Sequence, residues 1–460
     1  MSSAMLYTIR VALAVALGGF LMGFDASVIS GVVTFIEPEF SLTKLELGWS
    51  VASLTLAATL AMTVAGPLSD RLGRRPVLRL AAMLFAVSAV ASGVAPNFTA
   101  LVAARMLGGL GVGAALIIAP MYIAEIAPAA MRGRLVSFNQ LNIVVGISAA
   151  FFSNYLILRL GQSDLAWTQA LHLGEWSWRW MLGVEALPAL FYLVVLLAVP
   201  ESPRWLVMHG RDDDARRVLD RVSDSAQAEA DIQAVKASLE GGSSAEGVAL
   251  RELFGPSMRR VLVVAVTVAI LQQITGINSV FFYAPMIFEQ SGLGTDASFM
   301  QAVLVGLVNL VFTVLAILFV DRLGRRPLIG AGLVGIAVCM LIIAYGFAFA
   351  EGNPMIILIG ILGFVASFAS SLGPVMWVLF SELFPNRLRG MAVSFVGLIN
   401  SAVSFLVQLV FPWELENLGN SATFLLYALF AIFGLLILMR RLPETKGKSL
   451  EELEAELVRE

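Results

Sequence analysis

A chain of 460 residues is long enough for three ordinary soluble domains, but 58% of it is hydrophobic and only 14% charged, against roughly 45–50% and about 25% in a typical globular chain. A soluble protein this apolar could not cover its surface with polar groups, so most of the chain must face lipid or other helices. The net charge of −3 makes no case for nucleic acid, while one cysteine (Cys339) and two distant histidines (His172 and His209) exclude an intrachain disulfide and argue against a metal centre.

Each bilayer crossing needs about 20 apolar residues, and twelve apolar segments reach that length. The first six run 9–31, 47–69, 77–95, 99–124, 134–158 and 180–199. The first lacks a small-residue cleavage site and carries Asp25, so it reads as a retained helix rather than a signal peptide. The longest polar interruption follows, over 200–256. Within it Ala215, Val218, Leu219 and Val222 recur at helical spacing behind Asp212, Asp213 and Asp214, and Ile232, Val235 and Leu239 repeat the pattern. That predicts short amphipathic helices instead of a disordered linker. The second six segments run 259–289, 299–320, 328–350, 354–381, 391–411 and 420–440. The tail carries Ser449-Leu450-Glu451-Glu452, whose capping-box spacing predicts one more short helix. The domains are then a six-helix bundle over 1–199, the linker 200–256, a second bundle over 257–442 and the tail 443–460.

The loops sort by charge. Those after even-numbered spans, with both termini, concentrate basic residues such as Arg10, Arg75, Arg322, Arg326 and Arg440. The opposite set holds mainly Glu37, Glu39, Glu46, Glu289, Asp296, Glu351, Glu414 and Glu416, with Lys44, Arg159 and Arg179 as exceptions. The positive-inside rule places both termini in the cytoplasm, which an even number of spans requires.

Three signatures occur twice in the same order. Asp70-Arg71-Leu72-Gly73-Arg74-Arg75-Pro76 recurs identically as Asp321 to Pro327, after the second span of each half. Glu125-Ile126-Ala127-Pro128 with Arg132-Gly133 recurs as Glu382-Leu383-Phe384-Pro385 with Arg389-Gly390, and Pro200-Glu201 recurs as Pro443-Glu444. The chain is therefore two parallel six-helix halves, an arrangement that places a transporter's substrate site at the midplane. A topology signal explains the arginines but not the fixed acids, glycine and proline among them. Asp70, Arg71, Arg74, Glu125, Arg132, Glu201, Asp321, Arg325, Glu382, Arg389 and Glu444 are expected to form a cytoplasmic ion-pair latch that holds the halves together and breaks during transport.

Polar side chains within spans must find partners in protein or water, because lipid offers none. Gln140, Gln272, Gln273, Asn278, Asn309 and Asn400 supply six carboxamides across both halves, and Trp377 lies in Gly373-Pro374-Val375-Met376-Trp377. Carboxamides donate and accept, which matches neighbouring sugar hydroxyls, and an indole offers a face to a pyranose ring. A single such residue would read as interhelical glue; six do not. A break at Gly276 would let Gln272 and Asn278 converge. Asp25 on the first span reads either as half of a static buried ion pair with Arg105 or as a carboxyl that alternates between a protonated state and that pair, with Glu185 in the same half. Gly108 to Gly113 reads as helix packing and not as a dinucleotide loop, and no enzyme-like constellation accompanies it.

Pro200-Glu201-Ser202-Pro203-Arg204-Trp205-Leu206, Pro443-Glu444-Thr445-Lys446-Gly447 and Gln272-Gln273-Ile274-Thr275-Gly276-Ile277-Asn278 resemble the sugar porters of the major facilitator superfamily along essentially the whole chain. The resemblance implies an all-α membrane protein with twelve transmembrane helices in two pseudo-symmetric bundles. It also implies sugar contacts at Gln140, Gln272, Gln273, Asn278, Asn309, Trp377 and Asn400. Acids at the positions of Asp25 and Glu185 accompany proton symport in that family, whereas well-known uniporters carry Asn at the first. Two departures concern the pocket: Ile147 stands where some pentose symporters have Gln, and Ser401 where many members have Trp. Together these imply a monomeric, cofactor-free carrier in a bacterial cell membrane that takes up a neutral monosaccharide, a hexose such as glucose, with a proton. The alternatives are a facilitative uniporter and, against the short tail after Glu444, a membrane sugar sensor.

Overall fold

The computed structural model describes residues 3–128, 131–222, 225–240, 252–256, 258–349, 353–385 and 388–444. Among these residues there is no strand, and twelve helices are long and apolar enough to cross a membrane. Spans 1 to 6 are Ala4–Gly31, Lys44–Leu72, Arg74–Gly93, Phe98–Ile126, Phe138–Gly161 and Ser177–Ala198. Spans 7 to 12 are Arg259–Gln290, Thr295–Phe319, Arg325–Phe349, Pro354–Phe380, Arg389–Asn417 and Asn420–Arg441. Every segment expected from hydropathy is present. Several run a turn longer, because helices continue into polar residues that hydropathy discounts.

Four spans are interrupted. Span 1 passes from helix Ser3–Val28 through a 3₁₀ turn, Ile29–Gly31, into Val33–Glu39. Span 6 breaks between Ser177–Gly183 and Ala186–Ala198, where Pro188 has no N–H for the carbonyl of Val184. Span 7 breaks between Ile274 and Ile277, as the Gly276 reading expected. Span 10 breaks between Ala369 and Leu372. There Pro374 cannot donate to Ser370, and Ser371 turns its hydroxyl onto span 9, 1.8 Å from where a Cβ on Gly332 would stand.

The chain packs as two compact units. The first comprises Met1–Val28, Ser53–Ser153 and Leu160–Ser244; the second comprises Ile29–Ala52, Asn154–Arg159 and Ala245–Glu460. Unit 1 is built on close helix approach: a Cβ on Gly23 would lie 2.0 Å from the Ile143 carbonyl oxygen, and one on Gly146 2.1 Å from that of Phe20. Gly109 and Gly113 meet the Leu54 and Ala58 carbonyls of span 2 in the same way, which is the small-residue packing expected for that segment. The linker helices Pro203–Met208, Asp212–Leu219 and Ser225–Glu240 enclose their own small core of Leu206, Val207, Ala215, Leu219, Ala228 and Ile232. Lys236 pairs with Asp212, and Arg216 with Glu229 at 2.5 Å. The helix expected from Ser449 lies outside the described residues.

In unit 2 the ends of spans 1, 2 and 5 opposite the arginine-rich loops pack on second-half helices. Phe35 meets Phe299 edge-on at 6.2 Å and Trp49 meets Phe405 likewise at 6.2 Å. Gly48 approaches the Leu409 carbonyl so closely that a Cβ would lie 1.9 Å from its oxygen. Arg159 pairs with Asp296, and Lys44 with Glu37. Arg159 and Lys44, two exceptions to the charge bias, therefore carry an acidic partner. A third, Arg179, donates to the Ala95 carbonyl at 2.6 Å and lies over the Trp178 ring.

Candidate substrate and proton sites

Gly276 has φ +91°, a left-handed conformation that only glycine takes without strain. The Tyr427 ring of span 12 also covers it, 2.4 Å from where a Cβ would stand. Backbone and space both demand glycine at this break. The turn carries Asn278 back toward Gln273, and its Nδ2 donates to Gln273 Oε1 at 2.7 Å.

Four of the expected carboxamides form one network in unit 2. Gln273 Nε2 donates to Gln272 Oε1 at 3.1 Å and to Asn400 Oδ1 at 3.2 Å. Asn400 Nδ2 donates to Gln272 Oε1 at 2.7 Å and to the Ala269 carbonyl at 2.9 Å. Gln272 Nε2 reaches the Leu372 carbonyl at 3.3 Å, where span 10 restarts, so the breaks of spans 7 and 10 share one amide. The network extends along span 11 beyond the expected set. Asn278 Nδ2 and Gln408 Nε2 each donate to Ser404 Oγ at 2.7 Å. Sequence reasoning missed Ser404 and Gln408, although Asn400, Ser404 and Gln408 stand four residues apart on one helix face.

Asn309 is buried on span 8 and has no side-chain hydrogen bond among the described residues. Trp377 is 42% exposed, edge-on to Phe380 and over Gly397. Gln140 is half-buried on span 5 and belongs to unit 1. The four-amide cluster carries no formal charge, so its chemistry suits a neutral, hydroxyl-rich solute.

A second polar group is sealed inside unit 1. Arg105 Nη1 donates to Asp25 Oδ1 at 2.7 Å and to the Asp25 carbonyl at 3.1 Å, and both residues are 1% exposed. Glu185 stands at the interruption of span 6 in the same unit, also buried. Asp25 Oδ2 and Glu185 Oε1 have no hydrogen-bond partner among the described residues. Two acids and one guanidinium thus lie buried in an apolar bundle, and only Asp25 is paired with Arg105. An uncompensated charge there is costly, and a single proton balances the group.

The arginine-rich loops hold two matching networks, one in each half. In the first, Arg74 pairs with Asp70 at 2.6 Å and with Glu125 at 3.1 Å. Glu201 accepts from the backbone N–H groups of Arg74, Arg75 and Ser202 at 3.1, 3.2 and 2.7 Å. Ser202 Oγ donates to Glu125 Oε2 at 2.5 Å, and Trp205 Nε1 to the Asp70 carbonyl at 2.9 Å. Burial pushes the Glu201 carboxyl above the usual range, and those backbone donors pull it part of the way back. In the second, Arg325 pairs with Glu382 at 2.7 Å, and Glu444 accepts from the N–H groups of Arg325 and Arg326, both at 3.1 Å. These pairs join span 3 to span 4 and span 9 to span 10. Each of these pairs lies inside one half, because each arginine opens a helix whose neighbour in the same bundle ends in the matching glutamate. Arg71 is exposed, and Arg389 donates to the Phe384 carbonyl at 3.4 Å. The side chains of Arg132 and Asp321 lie outside the described residues.

Comparison with known proteins points the same way. A family model described as "Sugar (and other) transporter" matches residues 11–457. The arabinose-proton symporter of Bacillus subtilis is 36% identical over 453 residues, covering 98% of this chain and 96% of the relative. The D-xylose-proton symporter of Escherichia coli is 38% identical over 484 residues, covering 98% and 95%. Among solved structures, the inward-open conformation of the xylose transporter from Escherichia coli superimposes with a TM-score of 0.84 at 36% identity, covering 98% of this chain and 99% of that one.

Proposed function

The chain belongs to the sugar porter family of the major facilitator superfamily, a family of multi-pass membrane transporters and not of enzymes, and on that premise we propose that it imports a neutral monosaccharide together with a proton. The observation that carries this reading is the sealed group of Asp25, Arg105 and Glu185, with two acids, one base and an unpartnered oxygen on each acid. A carboxylate so placed can hold a proton when Arg105 withdraws and release it when the pair re-forms. The sugar is held by Gln272, Gln273, Asn278 and Asn400, with Asn309, Trp377 and Gln140 as further contacts. Alternating access exposes it to one side at a time, each half moving as a body braced by its own Arg74 or Arg325 clamp.

The arginine-rich loops face the cytoplasm with both termini, in a bacterial cell membrane, and the carrier works as a monomer. Ile147 favours a hexose such as glucose, while Ser401 leaves room for something larger or differently held. The named relatives carry arabinose and xylose, so pentoses belong in the same assay.

The test is counterflow in proteoliposomes against a sugar panel, with an external pH electrode. One proton crossing 100 mV supplies about 2.3 kcal/mol, close to fiftyfold accumulation. Asp25→Asn is expected to lose accumulation and sugar-induced alkalinisation while still exchanging sugar. A mutant that accumulates sugar against a gradient defeats the coupling claim, and wild-type exchange without alkalinisation identifies a uniporter.

A further inference from the structure

The amides of the unit 2 network largely satisfy one another, and counting what remains shows where a ligand can bond. Gln273 Nε2 spends its two hydrogens on Gln272 and Asn400. Asn278 Nδ2 spends its two on Gln273 and Ser404. Ser404 Oγ receives N–H groups from Asn278 and from Gln408, each at 2.7 Å. A hydroxyl has two acceptor sites and one donor, so both lone pairs of Ser404 are filled. Its O–H has no acceptor among the described residues. Ser404 is thereby a donor only, next to Asn278, a half-buried residue whose Oδ1 has no partner among the described residues.

The geometry points to Ser404 as a specificity-determining residue that donates its O–H to one hydroxyl oxygen of the sugar, and to Gln408 as the positioning residue that fixes it in that role. This rests on the sugar-transport reading above. Gln408 is 1% exposed and lies one helical turn beyond Ser404, so it acts through Ser404 and not on the sugar. Asn278 Oδ1 and the Ser404 O–H then form an acceptor–donor pair, the combination that two adjacent ring hydroxyls satisfy.

The experiment uses the full chain in proteoliposomes. Counterflow first identifies a transported sugar, and the monodeoxy analogues of that sugar then compete for uptake. Wild type is expected to bind the analogue lacking the contacted oxygen about three- to tenfold more weakly than the parent, the usual worth of one hydrogen bond. Ser404→Ala should lose that discrimination at this one carbon and keep it at the others. Gln408→Leu should reduce it at the same carbon, raising KM more than it changes the maximal rate, and Ser404→Thr should restore it. Where Ser404→Ala fails to fold, Gln408→Leu and Ser404→Thr decide the matter between them. Unchanged discrimination at every carbon in Ser404→Ala, or in Gln408→Leu, overturns the assignment while leaving sugar transport intact. A wild type that exchanges no sugar overturns the transport reading itself, and the assignment with it.

Discussion

The Oδ2 atom of Asp25 lies 2.4 Å from the point that a Cβ on Gly108 would occupy. The carboxylate of span 1 is thus lodged in a notch on span 4, one turn from Arg105, with Ser88 Oγ 2.6 Å from the same point. Gly108→Ala must push the carboxylate off Arg105 or move a helix, and overpacking of this kind costs about 1–3 kcal/mol. The expected phenotype matches Asp25→Asn: sugar exchange retained, with alkalinisation and accumulation reduced by tenfold or more. Adding Ser88→Ala opens one wall of the notch and should restore part of the coupling. A Gly108→Ala protein with full proton coupling would show that the notch does not place the acid.

Gly276 is constrained twice, and the two constraints separate experimentally. Gly276→Ala brings a left-handed backbone penalty of about 1–2 kcal/mol together with collision against the Tyr427 ring, which lies 2.4 Å from the new methyl. Tyr427→Ala in that background removes only the collision. It also frees Glu414, whose Oε2 accepts from the Tyr427 hydroxyl at 2.7 Å. Thermal unfolding in detergent should show Gly276→Ala losing several degrees and the double variant recovering only part. Sugar exchange should fall in both, because Gln273 and Asn278 no longer meet. Complete recovery in the double variant would mean that the backbone conformation carries no cost.

The sequence made much of this visible. Hydropathy located all twelve spans because lipid leaves little choice of residue, and the doubled Asp70 and Asp321 segments exposed the two halves. Gly276 was legible as a break because it stands between Gln272 and Asn278, two amides that an uninterrupted helix would point apart. The break in span 10 was not, although Gly373-Pro374 marks it, because proline is tolerated in membrane helices and its consequence depends on whether a neighbour such as Gly332 makes room for Ser371. Ser404 and Gln408 escaped because each alone reads as glue, and only packing shows that they continue the Asn400 face. The acids and arginines at the helix ends were identified, but sequence gives no partner choice. Structure pairs Arg74 with Glu125 and Arg325 with Glu382, each inside one half.

Arg159 and Asp296 give a charge-swap test of the end opposite the arginine-rich loops. The pair is 53% and 40% exposed, and exposed pairs contribute about 0–1 kcal/mol, so it can bias opening of this end by no more than about fivefold. Arg159→Asp and Asp296→Arg should each shift the apparent affinity for sugar added on that side, in the same direction and by less than that factor. The double swap should return it toward wild type. The shift should shrink in high salt, since the pair is within reach of screening ions. Single variants that match wild type at low salt would remove the pair from any part in gating.

Glu201 offers a pH signature of the first-half clamp, and its sign is opposite to that of most paired acids. Burial holds its folded pKa above the 4.5 of an ordinary glutamate. Between 4.5 and that raised value, the folded protein keeps a proton on Glu201 that the unfolded chain has already released. The resulting contribution to stability is fully present below 4.5 and is lost as pH rises through the folded pKa. Glu201→Gln can still accept from the N–H groups of Arg74 and Arg75 but does not titrate, so it lacks this slope. Thermal unfolding of both proteins in detergent, followed from pH 4.5 upward, should show wild type losing ground to Glu201→Gln through that window and then running parallel to it. A wild type that gains on the variant as pH rises would mean that the backbone donors outweigh burial and that Glu201 is ionised throughout, which would make it a permanent anion at the start of span 3.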